Sequence, residues 1–158
     1  CWNEEHQFYF DLGYGKQIIR YHIGSYWALL AGIVPKSNQE GFVSHLSDNE
    51  KFNTPVPVPS LSVDDPDFSS DGKYWRGSSW HPTTYMVIKG LEGNGFKEKA
   101  TEISLKCVNA NLILYEQTNT LWENLSPLSP EPGNPSQPDF CGWAGLSSVA
   151  IPREFLKE

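Results

Sequence analysis

SWHPTTYMVIKGLEGNGFKEKATEISLKCVNANLILYE, running from Ser79 to Glu116, is the stretch that decides the fold class. Pro82 sits in a first turn, where a helix has no use for a backbone N–H, and the apolar run behind it carries a helix over about Ser79 to Glu92. Gly93-Asn94-Gly95 interrupts it. A second helix follows over about Lys97 to Glu116, with Ile103, Cys107, Ala110 and Leu114 at helical spacing and Lys97, Lys99, Glu102 and Lys106 mostly on the other side. So short a break between two helices predicts an antiparallel hairpin.

Working outward from the hairpin, Gly24 to Ile33 reads as a short buried helix, stopped before Pro35 because the residue preceding proline is pushed out of the α region. Another helix is expected with Ser37 or Asn38 as N-cap, an apolar stripe of Phe42, Val43 and Leu46, and an end near Asp48. Cys1 to Leu12 is aromatic and reads as an extended segment or short hairpin. Asn53 to Lys73 carries Pro55, Pro57, Pro59 and Pro66 and predicts a long irregular loop, packed through Val56, Val58 and Leu61. Ser126 to Pro138 is a second proline-rich loop, ahead of a terminal helix over about Ala144 to Leu156 that Pro152 interrupts. The order is helix, loop, helical hairpin, loop, helix, without strong strand pairs. This is an all-α pattern of helical hairpins with long irregular loops, the alternation expected of part of a helical toroid, whose helices form a wall and whose loops build a site on one face.

Composition narrows the functions. A net charge of -7 and no run of Lys or Arg exclude nucleic acid and anionic membrane surfaces as natural partners. No apolar run approaches the roughly 20 residues needed to span a bilayer. The only methionine is Met86 and the chain opens at Cys1, which predicts a piece of a longer precursor. Cys1, Cys107 and Cys141 lack any C-x-x-C spacing and read as buried free thiols, slightly favouring a reducing, cytoplasmic compartment. His6, His22, His45 and His81 have no metal-type spacing, and nothing calls for a metal or cofactor.

The unusual feature is an aromatic content of 13% with six tryptophans. Most aromatics belong in a core, but indoles also stack on sugar rings. Four groups are candidates for chemistry. Tyr74-Trp75-Arg76-Gly77-Ser78-Ser79-Trp80-His81-Pro82 sets two indoles and a guanidinium at the mouth of a helix. Trp75 or Trp80 would stack on a pyranose while Arg76 bonds hydroxyls or a carboxylate; equally, the tryptophans would pack a helix start with Arg76 in an ion pair. Leu121-Trp122-Glu123-Asn124-Leu125-Ser126 puts one carboxylate between apolar residues, where burial would raise its pKa and suit it to proton transfer; an exposed turn glutamate is the plainer alternative. Asn124-Leu125-Ser126 is also a glycosylation sequon. Asp139-Phe140-Cys141-Gly142-Trp143 is an acid-aromatic turn, and Asp64-Asp65-Pro66-Asp67 reads as turn chemistry because it lacks an EF-hand's spaced ligands.

Taken in order, Trp2-Asn3-Glu4-Glu5-His6-Gln7-Phe8-Tyr9-Phe10-Asp11, Pro57-Val58-Pro59-Ser60-Leu61-Ser62-Val63-Asp64-Asp65-Pro66, Tyr74-Trp75-Arg76-Gly77, Leu121-Trp122-Glu123 and Asp139-Phe140-Cys141-Gly142-Trp143-Ala144-Gly145-Leu146 resemble the (α/α)6-barrel glycoside hydrolases related to mannosylglycerate hydrolase, the family 63 processing α-glucosidases and, more distantly, trehalase. The resemblance implies an inverting hydrolase of α-linked sugars, in which an aspartic acid protonates the leaving oxygen and a glutamate activates water across a gap of about 6.5 to 9.5 Å. Glu123, in the segment similar to the family's base motif, takes the base role, with Trp75, Arg76, Trp80 and Trp143 as sugar contacts.

No segment resembles the family's acid motif, and a complete toroid is far longer than this chain. The resemblance therefore implies that residues 1–158 are the C-terminal portion of one catalytic domain, inactive alone. The remaining N-terminal part would be its partner, and exposed helix faces would make it self-associate in isolation. A non-catalytic carbohydrate-binding fragment or a purely structural helical one stands as the alternative.

Overall fold

The computed structural model describes residues 1–156. Its first residues turn back on themselves twice. β1 (Trp2–Asn3) pairs antiparallel with β2 (Phe8–Tyr9), Trp2 opposite Tyr9; β3 (Asp11–Gly13) pairs with β4 (Lys16–Ile18), Gly13 opposite Lys16. Patterning left the first open as an extended segment or a short hairpin and missed the second. Its Tyr14-Gly15 tip has φ values of 50° and 75°, the positive pair that suits a two-residue turn between right-twisted strands.

A 3-10 turn over Ile23–Tyr26 leads into α1 (Trp27–Leu30), shorter than the expected helix. α2 (Lys36–Ser44) runs into a 3-10 turn over His45–Ser47 and ends before Asp48, as expected. Its start is corrected: Pro35 is the N-cap, and Ser37 and Asn38 lie inside the first turn. The Pro35 ring holds φ at -55°, and its carbonyl accepts the Asn38 N–H at 2.9 Å, so the turn closes without a side-chain cap. The proline-rich loop that follows is irregular and packed, with Val56, Val58 and Leu61 buried. Backbone bonds stitch it to its surroundings: Ile23 N–H donates to the Ser60 carbonyl at 3.1 Å, Ser60 N–H to Ser78 at 3.0 Å, and Val56 N–H to Pro127 at 3.0 Å.

β5 (Ser79–Trp80) precedes α3 (His81–Gly93), and α4 (Lys97–Thr118) completes the expected hairpin. Asn94 in the connection donates to the carbonyls of Leu29 at 2.9 Å and Gly90 at 2.8 Å, tying α1 to α3. A Cβ on Gly90 would lie 3.0 Å from the Leu30 nitrogen, so a bare glycine lets α1 and α3 meet at backbone distance. β6 (Asn124–Leu125) returns to pair with β5, Trp80 opposite Asn124 and Ser79 opposite Leu125. Among the described residues three short two-stranded ladders thus accompany the helices, where no strong strand pairs were expected. They satisfy backbone groups that no helix takes up.

The terminal helix is also corrected. Leu146–Ala150 is a π-helical turn, and α5 (Ile151–Phe155) carries Pro152 in its first turn. Pro152 has no N–H to continue an α ladder from residues 146–150, so the helix widens and restarts.

The main core gathers Phe8, Phe10, Tyr26, Leu29, Phe42 and Phe52 from the N-terminal half with Val87, Ile88, Leu91, Ile103 and Ile151 from the helices. Burying each such side chain contributes about 1.5–3 kcal/mol. A small second cluster, Val56, Ala110, Leu114 and Leu125, lies under the β5–β6 pair. Of the three thiols expected inside, only Cys107 is buried; Cys1 and Cys141 are exposed, because neither the amino terminus nor the Asp139–Trp143 turn is covered by another element.

Candidate active site

The β5–β6 pair joins two of the sequence groups, since Trp80 closes the Tyr74–Trp80 stretch and Asn124 follows Glu123. Gly77 makes the turn before it possible: a Cβ there would lie 2.5 Å from the Ser69 carbonyl oxygen. Around Trp80 the aromatics assemble. Trp75 stacks on it with ring centroids 4.3 Å apart at 15°, and Tyr74 and Trp143 meet it edge-on at 4.7 and 5.7 Å. Trp80 is 1% exposed and Trp75 50% exposed, so Trp80 is a floor and Trp75 a shelf lying on it. The Trp80 Nε1 is buried with no hydrogen-bond partner among the described residues.

These rings border an open pocket of about 430 Å³ whose lining includes His22, Trp27, Ser60, Trp75, Trp80 and Trp143. Three of the four expected sugar contacts come together there. Sequence reading missed Trp27, assigned to a buried helix; it is 54% exposed. No local signal marks it: of the helix expected over 24–33 only one α-helical turn forms, too short to cover a tryptophan on its outer face.

Arg76, the fourth expected contact, does not line this pocket. Its Nε donates to the Asp67 carbonyl at 2.8 Å, and its Nη2 lies 3.4 Å from the Asp67 carboxylate. The pairing pins the turn that carries Trp75. Hydrogen bonding from Arg20, then its charge, holds the Asp67 carboxyl below the usual range. Asp65 faces Arg20 and Asp64 faces Lys51, so each acid of the Asp64–Asp67 cluster has a basic partner.

Glu123 is half-buried and also lies outside the pocket lining. Its backbone is held on both sides: its N–H donates to the Gln137 carbonyl at 3.0 Å, and its carbonyl accepts the Trp143 indole N–H at 3.0 Å. Trp143 is therefore shared, its ring on the pocket and its N–H on the Glu123 peptide. The preceding carbonyl, of Trp122, is 2.9 Å from His81 Nε2, while His81 Nδ1 is 2.7 Å from the Ser147 hydroxyl. Burial pushes the His81 imidazole below its ordinary pKa, partly offset by the Trp122 bond.

Asn124 is fully buried, with its amide donating to the Pro135 carbonyl at 3.1 Å, so the sequon has no exposed acceptor in this fold. Asp139 behaves as a turn residue, at φ 54°, accepting the Thr120 hydroxyl at 2.7 Å.

The model of a mannosylglycerate hydrolase MGH1-like glycoside hydrolase domain matches residues 1–143. The probable mannosyl-oligosaccharide glucosidase of Schizosaccharomyces pombe is 25% identical over 162 residues, an alignment covering 92% of this chain and 20% of that protein. The solved GH63 mannosylglycerate hydrolase from Thermus thermophilus, in complex with glucose, is similar with a TM-score of 0.75 at 25% identity, covering 95% of this chain and 34% of that one. Neutral trehalase Nth1 from Saccharomyces cerevisiae, with a TM-score of 0.75 and 14% identity over 96% of this chain and 27% of its own, shares the fold. The chain thus spans about a fifth of the curated relative and about a third of the solved hydrolase.

Proposed function

This chain belongs to the mannosylglycerate hydrolase MGH1-like glycoside hydrolase family, and on that premise we propose that it is the C-terminal portion of an inverting hydrolase of α-linked sugars, with Glu123 as general base. The observation that carries the reading is the shared Trp143, whose ring borders the aromatic pocket while its indole N–H holds the Glu123 carbonyl at 3.0 Å. A pyranose would lie on the exposed face of Trp75 and against Trp143, with Trp80 as the floor beneath. Glucose is the first sugar to test, because the related Thermus hydrolase was solved with it.

In this reading Glu123 takes a proton from a water on one side of the ring. That water attacks the anomeric carbon, and the glycosidic bond breaks as an acid on the opposite side gives its proton to the leaving oxygen. The acid belongs to the remainder of the catalytic domain, which would complete an (α/α)6 toroid. α4 offers that remainder an apolar face: Leu105, Leu112, Ile113 and Tyr115 are all exposed, beside a cavity of about 350 Å³ that Leu112 and Tyr115 help to line. The same face would draw isolated chains together, which sedimentation of the purified chain would detect.

The test is hydrolysis of α-glucosides and α-mannosides by the protein of the complete reading frame. Glu123→Gln is expected to lower kcat by about 10²–10⁴-fold, and NMR of the first-formed product should find the β-anomer. An undiminished rate in the variant, or an α-anomeric product, would overturn the reading. The isolated chain should bind glucose with a change in tryptophan fluorescence and hydrolyse nothing; hydrolysis by it would place the acid within these residues.

A further inference from the structure

We propose that His81 is a positioning residue: with Ser147 and Cys107 it forms a buried hydrogen-bond relay that fixes the Trp122 carbonyl and so sets the direction in which Glu123 leaves the backbone. The inference rests on the reading of Glu123 as the base. Its geometry is a continuous chain across four segments. Cys107 Sγ, on α4, is 3.2 Å from Ser147 Oγ on the π turn; Ser147 Oγ is 2.7 Å from His81 Nδ1 at the start of α3; His81 Nε2 is 2.9 Å from the Trp122 carbonyl oxygen. Cys107, Ser147 and His81 are all at most 5% exposed.

The far end fixes where each proton sits. A carbonyl can only accept, so His81 Nε2 carries the hydrogen. In a neutral ring Nδ1 must then accept, which makes Ser147 the donor to it and leaves Ser147 Oγ to accept the Cys107 thiol hydrogen. Each hydrogen of the relay is used once and the relay points one way, toward Trp122, with the Asn111 amide also 3.7 Å from Cys107 Sγ. A charged imidazole would break it, because Nδ1 would become a donor and the Ser147 hydrogen would lose its partner in a dry interior. The surroundings favour the neutral forms: burial lowers the His81 pKa and pushes the Cys107 thiol up to about 11.

The relay ends where it matters. The peptide before Glu123 is held at both of its polar atoms, by His81 through the Trp122 carbonyl and by Gln137 through the Glu123 N–H, and the peptide after it by Trp143 through the Glu123 carbonyl. With both planes fixed, only side-chain torsions of Glu123 remain free, and a base out of line with its water loses rate steeply.

Two near-isosteres separate direction from volume. The amide nitrogen of glutamine falls near the place of Nε2 and can still donate to Trp122; that of asparagine falls near Nδ1 and cannot reach. In the protein of the complete reading frame, His81→Asn is expected to lower kcat ~10–100-fold with KM within about twofold, and His81→Gln to recover most of that loss. Ser147→Ala, the variant to use if His81→Asn does not fold, should lower kcat by a smaller factor. Independently of activity, 15N shifts of the His81 ring should report a neutral Nε2–H form at pH 6. Equal losses in Asn and Gln variants, or a folded His81→Asn or Ser147→Ala enzyme with unchanged kcat beside an inactive Glu123→Gln enzyme, would overturn the positioning role and leave the base in place. A fully active Glu123→Gln enzyme would remove the base reading instead, and the ring shifts would then still decide whether the relay exists.

Discussion

Two stacked aromatic pairs in this molecule have almost the same geometry and opposite uses. Tyr26 and Phe42 lie 4.4 Å apart at 13°, and Trp75 and Trp80 lie 4.3 Å apart at 15°. In the first pair both rings are fully buried and the one polar atom is spent, the Tyr26 hydroxyl donating to the Phe42 carbonyl at 3.0 Å. In the second, half of Trp75 faces outward and the Trp80 N–H has no partner among the described residues. Stacking alone therefore says nothing about role. Core and site part company at exposed ring area and at polar atoms left without a partner.

The contrast breaks most visibly on truncation. Phe42 touches Trp2, Phe8, Tyr9 and Tyr26 with its ring, so Phe42→Ala should cost about 3–5 kcal/mol and leave the chain largely unfolded at room temperature, as urea titration by circular dichroism would measure. Trp75→Ala removes one exposed stack and should cost only about 1 kcal/mol. Its effect should fall on binding instead: the glucose-dependent change in tryptophan fluorescence should disappear from a chain that still unfolds cooperatively. If Trp75→Ala unfolded the chain as readily as Phe42→Ala, the shelf would be core and the comparison would fail.

How much of this was legible depended on the range of the interaction that set each element. α3 and α4 follow a 3.6-residue period within their own sequence, and their expected bounds, 79–92 and 97–116, came close to His81–Gly93 and Lys97–Thr118. α4 runs past Glu116 because Asn119 accepts the left-handed conformation that ends it, at φ 55°. The β5–β6 pair is two residues long, and its partners lie more than forty residues apart, so no local period announces it. The same holds for the relay: Cys107, Ser147 and His81 carry no signal separately and meet only through tertiary packing. For the site, Trp75, Trp80 and Trp143, expected as sugar contacts, border one pocket. Arg76 instead found Asp67, an ion pair that its local sequence equally allowed.

The smallest effect sharpens the comparison by pH. Burial lowers the pKa of two histidines in different surroundings: His45, beside Phe8 and bonded to the His6 carbonyl at 3.0 Å, in the closed cluster, and His81, which follows Trp80 in the chain and bonds Ser147 and the Trp122 carbonyl. A lowered folded-state value means that the unfolded chain binds more protons just below the ordinary imidazole pKa of about 6.5. Stability from both residues is therefore present above about pH 6.5 and lost as pH falls toward their folded values, at no more than about 1.4 kcal/mol per pH unit for each. Asp67, Asp71 and Glu102 are shifted down by hydrogen-bonded partners, so their contributions fade only at lower pH, below the ordinary carboxylate range of about 4. Urea midpoints between pH 7 and pH 5 should hence fall in the parent chain and fall less in His45→Gln and in His81→Gln. If His81 titrates freely instead of staying neutral between Ser147 and the Trp122 carbonyl, His81→Gln will leave the slope unchanged while His45→Gln reduces it, and the contrast between a closed aromatic cluster and an open one will not extend to their neighbouring histidines.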